Sequence, residues 1–155
     1  MTLWRVIKLT ELQLKGIMSK KSDHWKTPKQ LKNRIRYDKD ICPLYSKKDN
    51  LKIDWPKDKI IFCNPPYSQI KIWIDKIICE VKEGAYVKLL IPARTDTKYF
   101  HKLMNSGCVS KILFFEGRLK FNEKLGAPFP SILIMCNKSN KIDIQFLSAN
   151  GNEYL

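Results

Sequence analysis

The chain is short of acid, glycine and histidine, and each shortage narrows what it can be. Only 15 residues are Asp or Glu against 29 Lys or Arg, a net charge of +14 over 155 residues. That excess suits a polyanionic partner, nucleic acid first and an acidic membrane surface next, unless the lysines merely solvate the surface. The six glycines never fall in a Gly-x-Gly arrangement, so no glycine-rich cofactor loop is present. Neither histidine, His24 nor His101, has a carboxylate or cysteine partner at metal-ligand spacing. The five cysteines, at 42, 63, 79, 108 and 136, are odd in number and include no Cys-x-x-Cys pair. A zinc site and a disulfide framework are therefore not expected, and the chain suits a reducing cytoplasm. No apolar run approaches the roughly 20 residues that span a bilayer, so no membrane partner is expected.

What is present is enough for one globular domain, with 44% hydrophobic residues to build a core. Residues 1–21 stand apart as an N-terminal extension with one acid, Glu11, lying upstream of the true start or disordered. Thr27-Pro28 opens an expected helix over residues 29–36, with Thr27 as N-cap and Pro28 at the first helical position. Residues 37–42 and 59–63 read as strands. Ile70, Trp73, Ile74, Ile77, Ile78 and Val81 form a helical stripe through about residue 82, ended by Glu83-Gly84. Residues 86–91 form another buried strand, cut by Pro92. The following helix, capped by Asp96 or Thr95, runs to about residue 105. Residues 110–116 and 131–136 read as an antiparallel pair with a projecting loop between them. One edge strand over residues 142–146 precedes a polar tail.

The most informative residues are Asn64-Pro65-Pro66-Tyr67. Two prolines forbid the preceding strand to continue, so the tetrapeptide sits at its carboxyl end, where open α/β sheets bind ligands. The Asn64 amide oxygen and the Pro65 carbonyl are two acceptors, enough for both hydrogens of an exocyclic amine. An aromatic amine is a poor nucleophile because its lone pair is delocalised into the ring. Two such bonds localise that pair and stabilise the positive charge that develops during methyl transfer. Tyr67 would stack on the ring, and the Pro65-Pro66 pair aims the acceptors beforehand. The plainer alternative is a proline turn after a strand.

This motif resembles the catalytic motif of amino-methyltransferases. Further segments resemble the phage-type DNA N6-adenine methyltransferase family: Trp25-Lys26-Thr27-Pro28, Asp38-Lys39-Asp40-Ile41-Cys42, Asp54-Trp55, Pro92-Ala93-Arg94-Thr95-Asp96-Thr97, Gly117-Arg118-Leu119-Lys120-Phe121 and Pro128-Phe129-Pro130-Ser131. The resemblance covers residues 22–136, leaving 137–155 as edge strand and tail. It implies a Rossmann-like class I methyltransferase fold, a mostly parallel α/β sheet with a C-terminal antiparallel pair. It also implies S-adenosylmethionine as cofactor, with Trp25, Thr27, Pro28, Asp40, Cys42 and Asp54 toward it, and no metal. The implied partner is double-stranded DNA with a flipped adenine, in a bacterium or the host of a phage; self-association stays open. Asn64, Pro65, Pro66 and Tyr67 are the expected catalytic residues. Arg94, Lys98, Arg118 and Lys120 are expected against DNA, or else Arg94 pairs with Asp96 to brace a helix entrance. Trp55 and Asp54 either flank the cofactor or form a polar turn with one aromatic pinned to the core. Only 21 residues separate Cys42 from Asn64, shorter than the family pattern, which predicts a reduced adenosine pocket. An RNA adenine, a protein glutamine amide, or DNA binding without catalysis are the rival readings.

Overall fold

In the computed structural model, residues 26–43, 46–120 and 126–155 are described, and six strands form one mixed sheet. In chain order these are α1 (Lys29–Arg34), β1 (Lys39–Asp40), β2 (Ile60–Cys63), α2 (Ile70–Lys82), β3 (Tyr86–Pro92), α3 (Lys98–Met104), β4 (Lys111–Glu116), β5 (Ser131–Cys136) and β6 (Asp143–Ser148). The sheet order is β1-β2-β3-β5-β4-β6. β1, β2 and β3 run parallel, β5 is antiparallel to both β3 and β4, and β6 runs parallel to β4 at the outer edge. This is the α/β architecture expected, with the antiparallel pair in place.

Alternation along the strands sends side chains to two cores, one on each face. Ile61, Cys63, Val87, Leu89, Ile91, Ile112, Ile132 and Ile134 meet Ile70, Trp73, Ile74 and Ile77 of α2 and Phe100 and Leu103 of α3. Phe62, Leu90, Leu113, Leu133 and Met135 point the other way, against Leu31 of α1, Ile35 and Leu155. The stripe read on α2 is therefore core, and Gly84 ends that helix with φ of +104°. β3 and β5 are buried at nearly every position because each has a paired strand on both sides and helices over its faces.

Several boundaries differ from expectation, and β6 runs Asp143–Ser148 where residues 142–146 were expected. β1 keeps only Lys39–Asp40 of residues 37–42, because Asp40 Oδ1 accepts the Cys42 N–H at 3.0 Å and turns the chain out of the ladder. α1 ends at Arg34 instead of Arg36. Arg34 is 5% exposed, its guanidinium bonds to the Ala149 and Glu153 carbonyls and the Glu153 carboxylate, and Ile35 is already extended. Thr27 does not cap α1: Pro28 holds the cap position with no side-chain cap, and the Thr27 hydroxyl is engaged elsewhere. Likewise Thr97, not Asp96 or Thr95, stands at the cap of α3. The expected extension of residues 1–21, Trp25 and Phe121 lie outside the described residues.

Candidate functional site

Strand direction gathers the site. β5 is antiparallel to both its neighbours, so β4 runs the same way as β2 and β3. The ends of β1, β2 and β3, the residues that follow β4 and those that lead into β5 therefore share one carboxyl edge of the sheet. That edge of a parallel sheet is where substrate crevices form.

Asn64-Pro65-Pro66-Tyr67 follows β2 at the middle of this edge. Pro65 is buried, and Pro66 accepts the Gln69 N–H at 3.0 Å, closing a 3-10 turn over Tyr67–Gln69 that leads into α2. Asn64 Nδ2 donates to Thr27 Oγ1 at 3.0 Å, and the Tyr67 hydroxyl donates to Asn64 Oδ1 at a long 3.4 Å. The Tyr67 ring meets the edge of Phe129 at 5.4 Å between centroids, which ties the 117–130 loop to the tetrapeptide. Burial pushes the Tyr67 hydroxyl well above its ordinary pKa, Tyr99 adds to the rise and Arg94 opposes it. Tyr67 is thus a neutral phenol at physiological pH, a donor and not a base.

The residues expected toward a cofactor divide into two groups. Asp40 lies at the carboxyl end of β1, its carboxylate 17% exposed and paired with Lys32 at 3.2 Å. Cys42 Sγ sits 3.4 Å from Cys63 Sγ, the residue directly before Asn64. Burial raises the Cys63 thiol well above its ordinary pKa and the neighbouring Cys42 adds to this, so it stays protonated. These two, with Thr27 and Pro28, stand beside the tetrapeptide. Asp54 does not: it is exposed beside Trp55 and Lys57, which contact Glu80 near the far end of α2 from Ile70. Trp55 is 2% exposed, tilted against Trp73 at 6.3 Å, with its indole N–H on the Asn50 carbonyl at 2.8 Å. It is the aromatic pinned to the core.

Of the residues expected against DNA, Arg94, Lys98, Arg118 and Lys120 are all exposed. Arg94 is close enough to Tyr67 for its charge to act on the phenol. Arg94 and Asp96 form no ion pair among the described residues. The turn is braced by the Thr97 hydroxyl on the Arg94 carbonyl at 2.8 Å, and by His101 Nε2 against the Thr95 carbonyl at 2.8 Å. Sequence reasoning gave His101 no role; it anchors this loop.

Other residues were missed, although Glu80 and Lys88 each left a signal. Glu80 falls on the apolar stripe of α2, three residues after Ile77, and is 1% exposed. It accepts the Trp55 N–H at 3.1 Å and pairs with Lys57 and Lys76. Asn50, buried, donates to the Ile41 carbonyl at 2.7 Å. Glu80, Trp55, Asn50 and Ile41 thus form one chain that fixes the short segment between β1 and β2. Lys88 interrupts an otherwise apolar β3 and donates to the Arg36 and Leu155 carbonyls at 2.7 and 2.8 Å. Among the described residues, no cluster of His, Cys, Asp or Glu is arranged to hold a metal ion, and no helix is long and apolar enough to cross a membrane.

Compared with known proteins, residues 16–149 match the model of the DNA N-6-adenine-methyltransferase (Dam) family. The chain belongs to this family. The family match is wider at both ends than residues 22–136, reaching into the N-terminal segment and through β6. A family relative, the DNA N-6-adenine-methyltransferase of Escherichia phage T1, is 30% identical over 63% of this chain and 46% of its own length. A solved predicted O-methyltransferase from Agrobacterium tumefaciens aligns over 62% of this chain and 46% of that one, at 12% identity and a TM-score of 0.35, too low to carry an argument. The chain spans less than half the length of both.

Proposed function

We propose that this chain transfers a methyl group from S-adenosylmethionine to N6 of an adenine in DNA. The observation that carries the reading is Asn64-Pro65-Pro66-Tyr67 at the carboxyl end of a central parallel strand, its amide held from one side by Thr27. Asn64 Oδ1 and the Pro65 carbonyl accept the two amine hydrogens, localising the nitrogen lone pair. Tyr67 stacks on a base swung out of the duplex, and its 3.4 Å bond to Asn64 is long enough to yield as the base enters. Neither an amide nor a neutral phenol is a base, so the proton released after transfer leaves to solvent. Arg94, Lys98, Arg118 and Lys120, exposed on loops of the same edge or the adjoining helix turn, meet phosphates and bring affinity without sequence specificity.

The residues present fit the cofactor at its amino-acid end. Asp40 offers a partly exposed carboxylate to an ammonium group, sharing it with Lys32, and Cys42 and the Thr27-Pro28 segment flank it. S-adenosylmethionine, when bound, supplies an electrophilic methyl group. The adenosine end has less to meet, since Asn50 and Trp55 are turned into the core. That inward turn favours one other reading, a DNA-binding protein that keeps the scaffold without catalysis.

The test is transfer of labelled methyl to unmethylated DNA, to RNA and to a glutamine peptide, with Asn64→Ala and Tyr67→Ala beside the wild type. N6-methyladenine formed in DNA by the wild type, and reduced about 10²- to 10³-fold in Asn64→Ala, supports the proposal. No transfer to any substrate, with no cofactor binding by calorimetry, establishes the non-catalytic reading.

A further inference from the structure

We infer that Thr27 is a positioning residue for Asn64: its hydroxyl fixes which end of the amide faces the crevice. The inference rests on the proposed amine-methylating role of Asn64 and deepens it. A carboxamide has two nearly isosteric ends, and only the oxygen accepts a hydrogen from an amine; flipped by 180°, the same side chain presents a donor and repels it. Two of the Asn64 side-chain contacts fit the accepting orientation. Nδ2 donates to Thr27 Oγ1 at 3.0 Å, and Oδ1 accepts from Tyr67 at 3.4 Å. The shorter contact is the stronger, and it survives when Tyr67 turns its hydroxyl away to meet a base.

Thr27 is available for this because it does not cap α1. A threonine before proline at a helix start ordinarily turns its hydroxyl to the first free N–H groups. Here Pro28 takes the cap position and no side chain caps the helix. The hydroxyl instead reaches across 37 residues of sequence to the end of β2. Leu31 and Ile35 hold this end of the chain on the sheet, packed in the same core as Phe62 of β2. The position of Thr27 relative to Asn64 is thus set by the core that α1 and β2 share, and not by the loop itself.

Thr27→Val removes the hydroxyl and keeps the shape; Thr27→Ser keeps the hydroxyl. With the full chain, kcat at saturating S-adenosylmethionine is expected to fall about 3- to 10-fold in Thr27→Val, the effect of one neutral hydrogen bond. Thr27→Ser should restore the rate. In protein labelled with ¹⁵N-asparagine, the Asn64 side-chain NH2 pair, identified by its loss in Asn64→Ala, should move in Thr27→Val and not in Thr27→Ser. Unchanged kcat with an unmoved NH2 pair in Thr27→Val overturns the inference. So does a weakened cofactor affinity with kcat and the NH2 pair intact, which would make Thr27 a cofactor contact. If the wild type transfers no methyl group, that failure falls on the proposed activity, and the NH2 pair alone decides whether Thr27 holds the amide.

Discussion

Glu80→Ala should destabilise the protein by about 2 to 4 kcal/mol, and the structure shows where that cost arises. The carboxylate is 1% exposed and has three partners: the Trp55 N–H, Lys57 and Lys76. Deleting it leaves the Trp55 N–H buried beside a 2% exposed indole, a loss of about 1 to 3 kcal/mol for an unsatisfied donor. Removing one partner of a buried ion pair costs about 3 to 5 kcal/mol when the other stays buried. The side chains of Lys57 and Lys76 are 36% and 18% exposed, so both regain water, and the charge contribution is well below that range. Glu80→Gln keeps an acceptor for the Trp55 N–H and should cost about half as much. For a chain of this size the loss corresponds to roughly 5 to 12 °C in Tm. Burial alone would raise the Glu80 pKa, but Lys57, Lys76 and the Trp55 N–H outweigh it and hold the carboxyl below its ordinary value. The unfolded chain therefore takes up this proton first as pH falls. Glu80's contribution is complete above about pH 5 and declines through the unfolded value of about 4.3 and below. Urea unfolding by circular dichroism at pH 7 and pH 3.5, on wild type, Glu80→Gln and Glu80→Ala, measures both effects. A Glu80→Ala protein within about 1 kcal/mol of wild type at pH 7, or a deficit that does not shrink at pH 3.5, refutes the reasoning.

Tyr67→Phe removes only a 3.4 Å bond and should keep methyl transfer within about threefold of wild type, whereas Tyr67→Ala loses a stacking platform and should lower kcat/KM for DNA by roughly 5- to 150-fold; equal effects of the two would contradict stacking as the role of the ring. Arg94→Ala and Lys98→Ala should each weaken DNA binding by similar factors on unrelated sequences and reduce the slope of log affinity against log salt by about 1, and a loss confined to one sequence would point to base contact instead. Burial lowers the Lys88 pKa, the Arg36 charge lowers it further and Asp38 opposes. Between that lowered value and about 10.4 the unfolded chain binds more protons, so stability from this group rises with pH. Lys88→Met should abolish that part of the rise in urea midpoint as pH climbs toward about 10.4, and parallel profiles for the two proteins would show that Lys88 does not carry it.

The parts of the fold that could be read from sequence were those set by local physics. Pro65-Pro66 stops β2 wherever that strand is placed, and the isoleucine stripe of α2 closes at Gly84 because a left-handed residue ends a helix cheaply only at glycine. The tetrapeptide was legible for the same reason. Where a residue's role depends on a distant partner, local rules misplaced it. Thr27 has the chemistry of a cap, yet its hydroxyl goes to Asn64, 37 residues on. Glu80 and Lys88 did interrupt apolar patterns, a readable sign of buried charge. Their partners, the Trp55 N–H 25 residues away and the Leu155 carbonyl 67 away, were not readable.

The direction of β5 decides whether a single site exists at all. Had residues 131–136 paired parallel to β3, with β4 still antiparallel to β5, β4 would run opposite to β2 and the 117–130 loop would leave the sheet at its far edge. Because β5 is antiparallel to β3 along six residue pairs, Val87 with Cys136 through Pro92 with Ser131, the loop returns to the carboxyl edge and delivers Phe129 to the Tyr67 ring. All six residues of β5 are buried, and its alternating side chains serve both cores: Ile132, Ile134 and Cys136 on one face, Leu133 and Met135 on the other. A one-residue slip would exchange the two sets, so packing fixes the register strongly. The aromatic contact at the tetrapeptide is thus held by the strand least able to shift. Arg118 and Lys120, at the start of the same loop, are carried to the same edge by the same constraint.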